Sequence, residues 1–104
     1  MTYSLKRTRD SAGDSGGMSM ALIPIYDTDT NKPVYIEYVN NARPQIGQAM
    51  RVGSVYGRSY ATQDWWQTTI ITKILKEWTE GEGDTHSEHV LFRTGNSEYE
   101  WKQF

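Results

Sequence analysis

The sequence predicts a mainly β fold, a small antiparallel barrel or sandwich of five or six strands. Two observations favour this class: short runs of alternating apolar residues with turn residues between them, and a C-terminal pair of such runs around Gly95 and Asn96. With 104 residues, the chain suffices for one domain with one compact core. The alternative is an α+β fold in which residues 69–79 are helical.

The N-terminal segment, residues 1–18, is predicted to be a flexible tail that precedes a single small β-rich domain at residues 19–104. Basic residues of the tail, Lys6, Arg7 and Arg9, are followed by a run of Ser, Gly and Asp without apolar periodicity. Such a composition buries too little apolar surface to offset the entropy lost on ordering.

The first predicted strands form a hairpin. In MALIPIYD, Pro24 predicts an edge or bulged strand, because proline donates no backbone hydrogen bond. DTDTNKP predicts a turn, and PVYIEYV places Val34, Ile36 and Tyr38 on one face. AMRVGSV, residues 49–55, predicts a further short strand.

The segment TTIITKILKEW, residues 68–78, fits two structures. Its apolar positions form a helical stripe, whereas its Thr and Ile residues favour a strand. We favour the strand, because the segments on both sides have strand patterns. The charged sequence EGEGDTHSE that follows predicts a loop.

The C-terminal hairpin is the clearest prediction. EHVLFRT and SEYEWKQ flank Gly95 and Asn96, which suit a type II′ turn. Pairing Thr94 with Ser97 sets a register in which Phe92 is opposite Tyr99, Val90 opposite Trp101, and Arg93 opposite Glu98. One face is then apolar and the other ion-paired, as in a half-buried antiparallel sheet. SH3-like and OB-like barrels are built from such strands at this size.

Composition limits the function. The chain has no cysteine, which excludes disulfides and thiolate metal sites and fits a cytoplasmic protein. No run approaches about 18 consecutive apolar residues, so no membrane span is predicted. The formal net charge is −2, and residues 61–104 carry eight acidic against four basic residues. This distribution is not that of a general polyanion binder.

The pentapeptide GDSGG, residues 13–17, resembles the segment around the nucleophile of chymotrypsin-like serine proteases, and the resemblance covers these five residues only. A serine nucleophile needs a histidine base and an acid that orients it, which in that family come in the order His, Asp, Ser. Here Ser15 lies near the start of the chain, and His86 and His89 come far later. The sequence therefore predicts no protease.

The same histidines, with Asp84 and Glu88 nearby, match the spacing of no closed zinc site, and a solvated loop is the expected structure. Phosphate-binding glycine loops are also missing from the sequence. We therefore predict no catalytic residue, no cofactor and no bound metal, and a protein that is not an enzyme.

Arginine and aromatic residues concentrate in one stretch. The candidate binding residues are Arg51, Tyr56, Arg58, Tyr60, Trp65 and Trp66. Arg, Tyr and Trp are enriched at the hot spots of protein interfaces, and rings beside arginine also suit nucleic acid. Large rings equally fill the core of a small domain. If Trp65 and Trp66 both lie in a strand, one faces the core and the other faces outward.

These observations predict a non-enzymatic protein-binding module, an inhibitor or adaptor of the kind that phage or mobile-element genes encode. Its target would be a nucleic-acid-processing host machine, whose basic surface would meet the acidic loop 79–88. The alternative is an OB-like or SH3-like domain that binds single-stranded nucleic acid through Arg43, Arg51 and Arg58 with the nearby rings. The net acidic charge weighs against this alternative.

Overall fold

The computed structural model describes residues 2–38, 43–53 and 65–104, and these residues form nine strands and one 3₁₀ turn. The strands are β1 (Tyr3–Arg7), β2 (Gly13–Gly16), β3 (Met18–Tyr26), β4 (Pro33–Tyr38), β5 (Ala49–Gly53), β6 (Trp65–Gln67), β7 (Ile71–Glu80), β8 (Ser87–Thr94) and β9 (Glu98–Gln103), and the 3₁₀ turn spans Gly83–Thr85. Sheet A has the order β2-β1-β9-β8-β7, and sheet B has the order β4-β3-β5-β6. All strand pairs are antiparallel, so the predicted mainly β class is confirmed.

The described residues contain more strands than the five or six that the sequence predicts, partly because the N-terminal segment is folded. The predicted flexible tail, residues 1–18, instead supplies β1 and β2, with β1 paired to both β2 and β9. Leu5 has no exposed surface and lies opposite Trp101 in the register. One buried leucine and two ladders of main-chain hydrogen bonds therefore order a segment whose composition alone indicates disorder.

The ambiguous segment is a strand, as favoured: β7 runs from Ile71 to Glu80. Strand β7 ends at Glu80, two residues beyond the predicted segment, so the predicted charged loop is shorter at its N-terminal end. Strand β7 is the edge strand of sheet A and pairs with β8, for example at Trp78 and His89. Among the described residues, none forms a helix with the length and apolarity needed to cross a membrane.

The C-terminal hairpin has the predicted register. Phe92 and Tyr99 stack on the inner face with ring centroids 5.7 Å apart, and Arg93 and Glu98 form an ion pair of 2.7 Å on the outer face. The predicted type II′ turn is wrong, because Gly95 lacks the positive φ that this turn requires. The Thr94 hydroxyl instead accepts hydrogen bonds from the backbone N–H groups of Asn96 and Ser97, and these bonds fix the turn.

The core lies between the inner faces of the two sheets. Its buried residues are Leu5, Ala21, Met50, Val52, Ile71, Val90, Phe92, Tyr99 and Trp101. The indole Nε1–H of Trp101 in sheet A donates a buried hydrogen bond of 2.9 Å to Oγ of Ser19 in sheet B. Two backbone hydrogen bonds also join Ile71 of β7 to Gly47 and Gln48, just before β5. Apolar burial and these polar contacts hold the sheets together.

The hairpin of β3 and β4 extends past the rest of sheet B. Strand β5 pairs with β3 only as far as Leu22, whereas β4 pairs with β3 as far as Tyr26. We call residues 23–36 the arm. Pro24 lies in this part, where β3 has lost its β5 neighbour, which agrees with the predicted edge strand. The radius of gyration is 14.0 Å, against about 13 Å for a compact chain of this length, so the molecule is somewhat extended.

Candidate functional site

One face of the arm forms a cleft with the body of the protein. The cleft has a volume of about 270 Å³, and its lining residues are Tyr26, Pro33, Tyr35, Thr69, Ile70, Thr72, Gly95 and Asn96. We call it the tyrosine cleft. Three of these residues belong to the arm, three to the start of β7 and the segment before it, and two to the β8–β9 turn. None of the eight carries a formal charge.

Alternation along the strands brings the two tyrosines of the cleft together. Tyr26 is paired with Pro33, and Tyr35 is paired with Pro24, so the four residues share one face of the arm. Burial raises the pKa of the Tyr35 hydroxyl, and the neighbouring Tyr26 raises it further. The hydroxyl of Tyr35 is therefore protonated at neutral pH and is a hydrogen-bond donor within an apolar wall.

The opposite face of the arm is aliphatic and exposed. It consists of Ile23, Ile25, Val34 and Ile36, which are 41–57% exposed, and we call it the aliphatic face. The register places Ile23 opposite Ile36 and Ile25 opposite Val34, so the four side chains form one cluster. Ala21, two residues before Ile23 on the same face, is in the core. The aliphatic face thus continues the inner face of sheet B.

The predicted binding residues do not form one patch among the described residues. Tyr56, Arg58 and Tyr60 lie outside the part of the chain that the structure describes. The Arg51 guanidinium donates to Oε1 of Gln67 at 2.7 Å and 3.1 Å, across the β5–β6 pair. Trp65 begins β6, and its side chain is also outside the description.

Trp66 is partly buried and packs against the core. It is paired with Val52, whereas Arg51 is paired with Gln67, so Arg51 and Trp66 face opposite sides of sheet B. The Arg7 guanidinium lies 5.3 Å from the centre of the Trp66 ring. This cation–π contact joins the N-terminal strand to β6, so the Arg7 guanidinium covers one face of the Trp66 ring.

Arg7 is in turn fixed by Asp10. Its Nε and Nη2 donate to the two carboxylate oxygens of Asp10 at 2.9 Å and 2.6 Å, and the backbone N–H of Ala12 donates to the same carboxylate. The Arg7 hydrogen bonds and then the Ala12 hydrogen bond lower the pKa of Asp10 from 3.8 to about 2. A carboxylate with a lowered pKa stabilises the fold above its unfolded-state pKa, and this contribution is lost as the pH falls through the folded-state value.

We expect the Asp10 carboxyl to titrate with a midpoint near 2 in an NMR pH titration, because Arg7 favours its charged form. In the Arg7→Ala chain the midpoint should rise towards 3.8, with the Ala12 hydrogen bond remaining. The contact between β1 and its turn should weaken between about pH 4 and pH 2. An Asp10 midpoint that does not change in the Arg7→Ala chain would contradict this assignment.

The histidines and Ser15 lie apart. His86 bonds through Nδ1 to the carbonyl of Gly83 at 2.6 Å. His89 was expected near a solvated loop but is buried in β8, with its ring 4.9 Å from that of Trp78. Three strand spacings of about 4.8 Å separate Ser15 from His89, so no serine–histidine pair forms between them. The described residues contain no cluster of three metal-ligating side chains.

In comparisons with known proteins, no family model, no curated protein and no solved structure matched the chain. The candidate site therefore depends on the geometry alone. Sequence reasoning missed the arm residues as binding residues, although one signal for them was present: both faces of the predicted first hairpin are apolar. A two-stranded hairpin with apolar side chains on both faces leaves apolar area exposed unless protein contacts cover both faces.

Proposed function

We propose that the protein is a non-enzymatic protein-binding module, an adaptor or inhibitor, and that the tyrosine cleft receives an extended segment of its protein partner. The observation that carries this proposal is the cleft itself: two tyrosines of the arm face Ile70 across a space without formal charge. Tyrosine supplies a large apolar surface with one polar end, and it is enriched among residues that dominate interface energies.

The size and lining of the cleft suit side chains of a protein partner. The tyrosine cleft has about 270 Å³, close to the lower limit of about 300 Å³ for substrate and cofactor sites, and its lining residues are uncharged. This space holds one or two side chains of an extended peptide, with its backbone carbonyls near the Tyr35 hydroxyl. The arm also provides the strand β4 at the edge of sheet B, where an extended segment can add hydrogen bonds.

The charge distribution supports a partner with a basic surface, which would face the end of β8 and β9 opposite the tyrosine cleft. The second half of the chain is acidic, and Asp84, His86 and Glu88 line a depression together with Gln103 and Phe104. Charges outside the direct contact also raise the rate of association with a complementary surface. A nucleic-acid-processing machine has such a basic surface, and this makes it our proposed class of target.

Binding by the tyrosine cleft can be tested by affinity capture of a partner on the immobilised chain. We expect Tyr26→Ala and Tyr35→Ala each to weaken the captured complex by about 30-fold, corresponding to a hot-spot loss of about 2 kcal/mol. Ile46→Ala is the matched control, because Ile46 is 64% exposed and lines neither the tyrosine cleft nor the acidic depression. Equal losses in all three chains, or none, would contradict the proposal.

A nucleic-acid titration distinguishes protein binding from the alternative function, the binding of single-stranded nucleic acid. Binding through phosphate contacts weakens steeply as salt is added. We expect no change in the anisotropy of a labelled single-stranded oligonucleotide at low salt. Arg43 is already ion-paired with Glu77 and Glu88, and Arg51 donates to Gln67. A salt-dependent rise in anisotropy would favour nucleic acid as the ligand instead.

A further inference from the structure

Strand β4 is an edge of sheet B that can accept a further strand. Within the described residues it pairs only with β3, and its six residues pair without a bulge. The other edge strands are less suited to extension: β2 has four residues, β6 has three, and β7 has two register shifts and carries Lys73 and Lys76. Short length, bulges and lysines protect the edges of sheets. Strand β4 is regular, and its one proline, Pro33, is at its first position.

The hydrogen bonds of the arm identify the main-chain groups of β4 that face away from β3. In an antiparallel pair, every second residue directs both its N–H and its C=O at the neighbouring strand. The N–H of Asp27 donates to the carbonyl of Lys32, so the register directs the main-chain groups of Val34 and Ile36 at β3 as well. The groups that face outward are therefore the N–H and C=O of Tyr35 and Glu37 and the C=O of Pro33.

We infer, on the basis of the proposed function, that the partner segment in the tyrosine cleft is a β-strand that pairs antiparallel with β4. A row of outward N–H and C=O groups is complementary to the main chain of an extended segment, which presents matching groups at the same spacing. The antiparallel direction gives the more stable ladder, and every strand pair of both sheets has it.

The opposite edge of the arm does not offer the same row of groups. Beyond Leu22, β3 no longer pairs with β5. The residues of this stretch that face away from β4 are Pro24 and Tyr26, because they alternate with those that bond to β4. Proline has no N–H, so Tyr26 alone directs an N–H outward there. The partner strand therefore belongs on β4.

The register defines the side chains of the partner strand. Opposite residues of an antiparallel pair share one face, so the partner residue opposite Tyr35 lies on the face that lines the uncharged tyrosine cleft and is itself apolar. Its two neighbours lie beside Val34 and Ile36 on the aliphatic face and are aliphatic. At the ends of the ladder, a basic partner residue opposite Glu37 and an acidic one opposite Lys32 complete the charge complementarity.

An NMR titration of the full ¹⁵N-labelled chain tests the inference. The probe is the capped peptide Lys-Val-Phe-Ile-Thr-Asp, which has this pattern with its Phe opposite Tyr35. We expect the amide signals of Tyr35 and Glu37 to shift on binding. Methylation of the main-chain nitrogen of the peptide's Phe, which faces β4, should weaken binding about 10-fold. Methylation of the nitrogen of its Ile, which faces away from β4, is the matched control and should weaken binding much less.

A substitution in β4 gives a second measurement. Glu37→Pro removes an outward N–H and leaves the bonds to β3 in place, whereas Glu37→Ala is the matched control that keeps the N–H. Glu37→Pro should bind the peptide about 10-fold more weakly than Glu37→Ala does.

Three outcomes would overturn the strand addition. They are unshifted amides at Tyr35 and Glu37, equal binding of the two methylated peptides, and a free chain whose β4 already pairs with a second copy, seen as a concentration-dependent shift of the same amides. These outcomes leave the proposed function intact, because Tyr26→Ala and Tyr35→Ala test side-chain contacts in the cleft and not the main chain of β4.

Discussion

Trp101→Ala is expected to lower the free energy of unfolding by about 3–5 kcal/mol, because it empties the largest fully buried side chain of the core. Domains of this size are stable by only about 5–15 kcal/mol, so this one change removes a large part of the total. Urea denaturation followed by far-ultraviolet circular dichroism measures the loss. The Trp101→Ala chain should unfold at a much lower urea concentration than the wild type.

The polar contribution of Trp101 is separated by two milder variants. Trp101→Phe keeps a ring in the core but removes the donor to Ser19, and we expect a cost of about 1–2 kcal/mol. Ser19→Ala removes the acceptor and leaves the buried indole N–H unsatisfied, at a similar cost. If the hydrogen bond joins the sheets, the double variant should cost clearly less than the two single losses added together. Simple additivity would contradict the contact.

Gly13→Ala is expected to destabilise the protein by about 1–3 kcal/mol, at the upper end of this range. A Cβ at Gly13 would lie 1.8 Å from the backbone carbonyl oxygen of Leu5, and a main-chain atom has little freedom to move. Relief requires β2 to separate from β1, which loosens the strand that places Leu5 in the core. Thermal unfolding and amide hydrogen exchange of β1 both measure this effect.

Gly17→Ala is the matched control within the same glycine-rich stretch. No atom lies within 4 Å of a Cβ built there, so the change should alter the free energy of unfolding by less than about 0.5 kcal/mol. Equally small effects at Gly13 and Gly17 would contradict the close packing of β2 on β1 and indicate a tail. A large effect at Gly13 alone explains the first glycine of GDSGG by close strand packing.

The parts of the fold that the sequence predicted are those with a local pattern. The C-terminal hairpin has period-two alternation on both sides of a short turn, and a slip of one residue would expose Tyr99 and Trp101, so its register follows from burial alone. The strand at β7 follows from the Thr and Ile residues that also make its helical stripe less favourable. Both features depend on residues close together in the chain.

The parts that it did not predict depend on distant partners. Strand β1 is ordered by pairing with β9, about a hundred residues away, and only Leu5 signals it in the sequence. The arm is the reverse case: its strands were predicted, but their exposure follows from where β5 ends. The sequence places the candidate site among Arg and Trp residues, yet Trp66 packs against the core, and the cleft uses tyrosines of the arm.

Hydrogen exchange of the complex with a captured protein partner tests the proposed function most directly. We predict that partner binding slows exchange at the amides around the tyrosine cleft, in residues 34–35 and 69–72, while the amides of β1 keep their free-state rates. Protection confined to β5 and β6, around Arg51 and Trp66, would contradict the account and return the binding site to the stretch first predicted from the sequence.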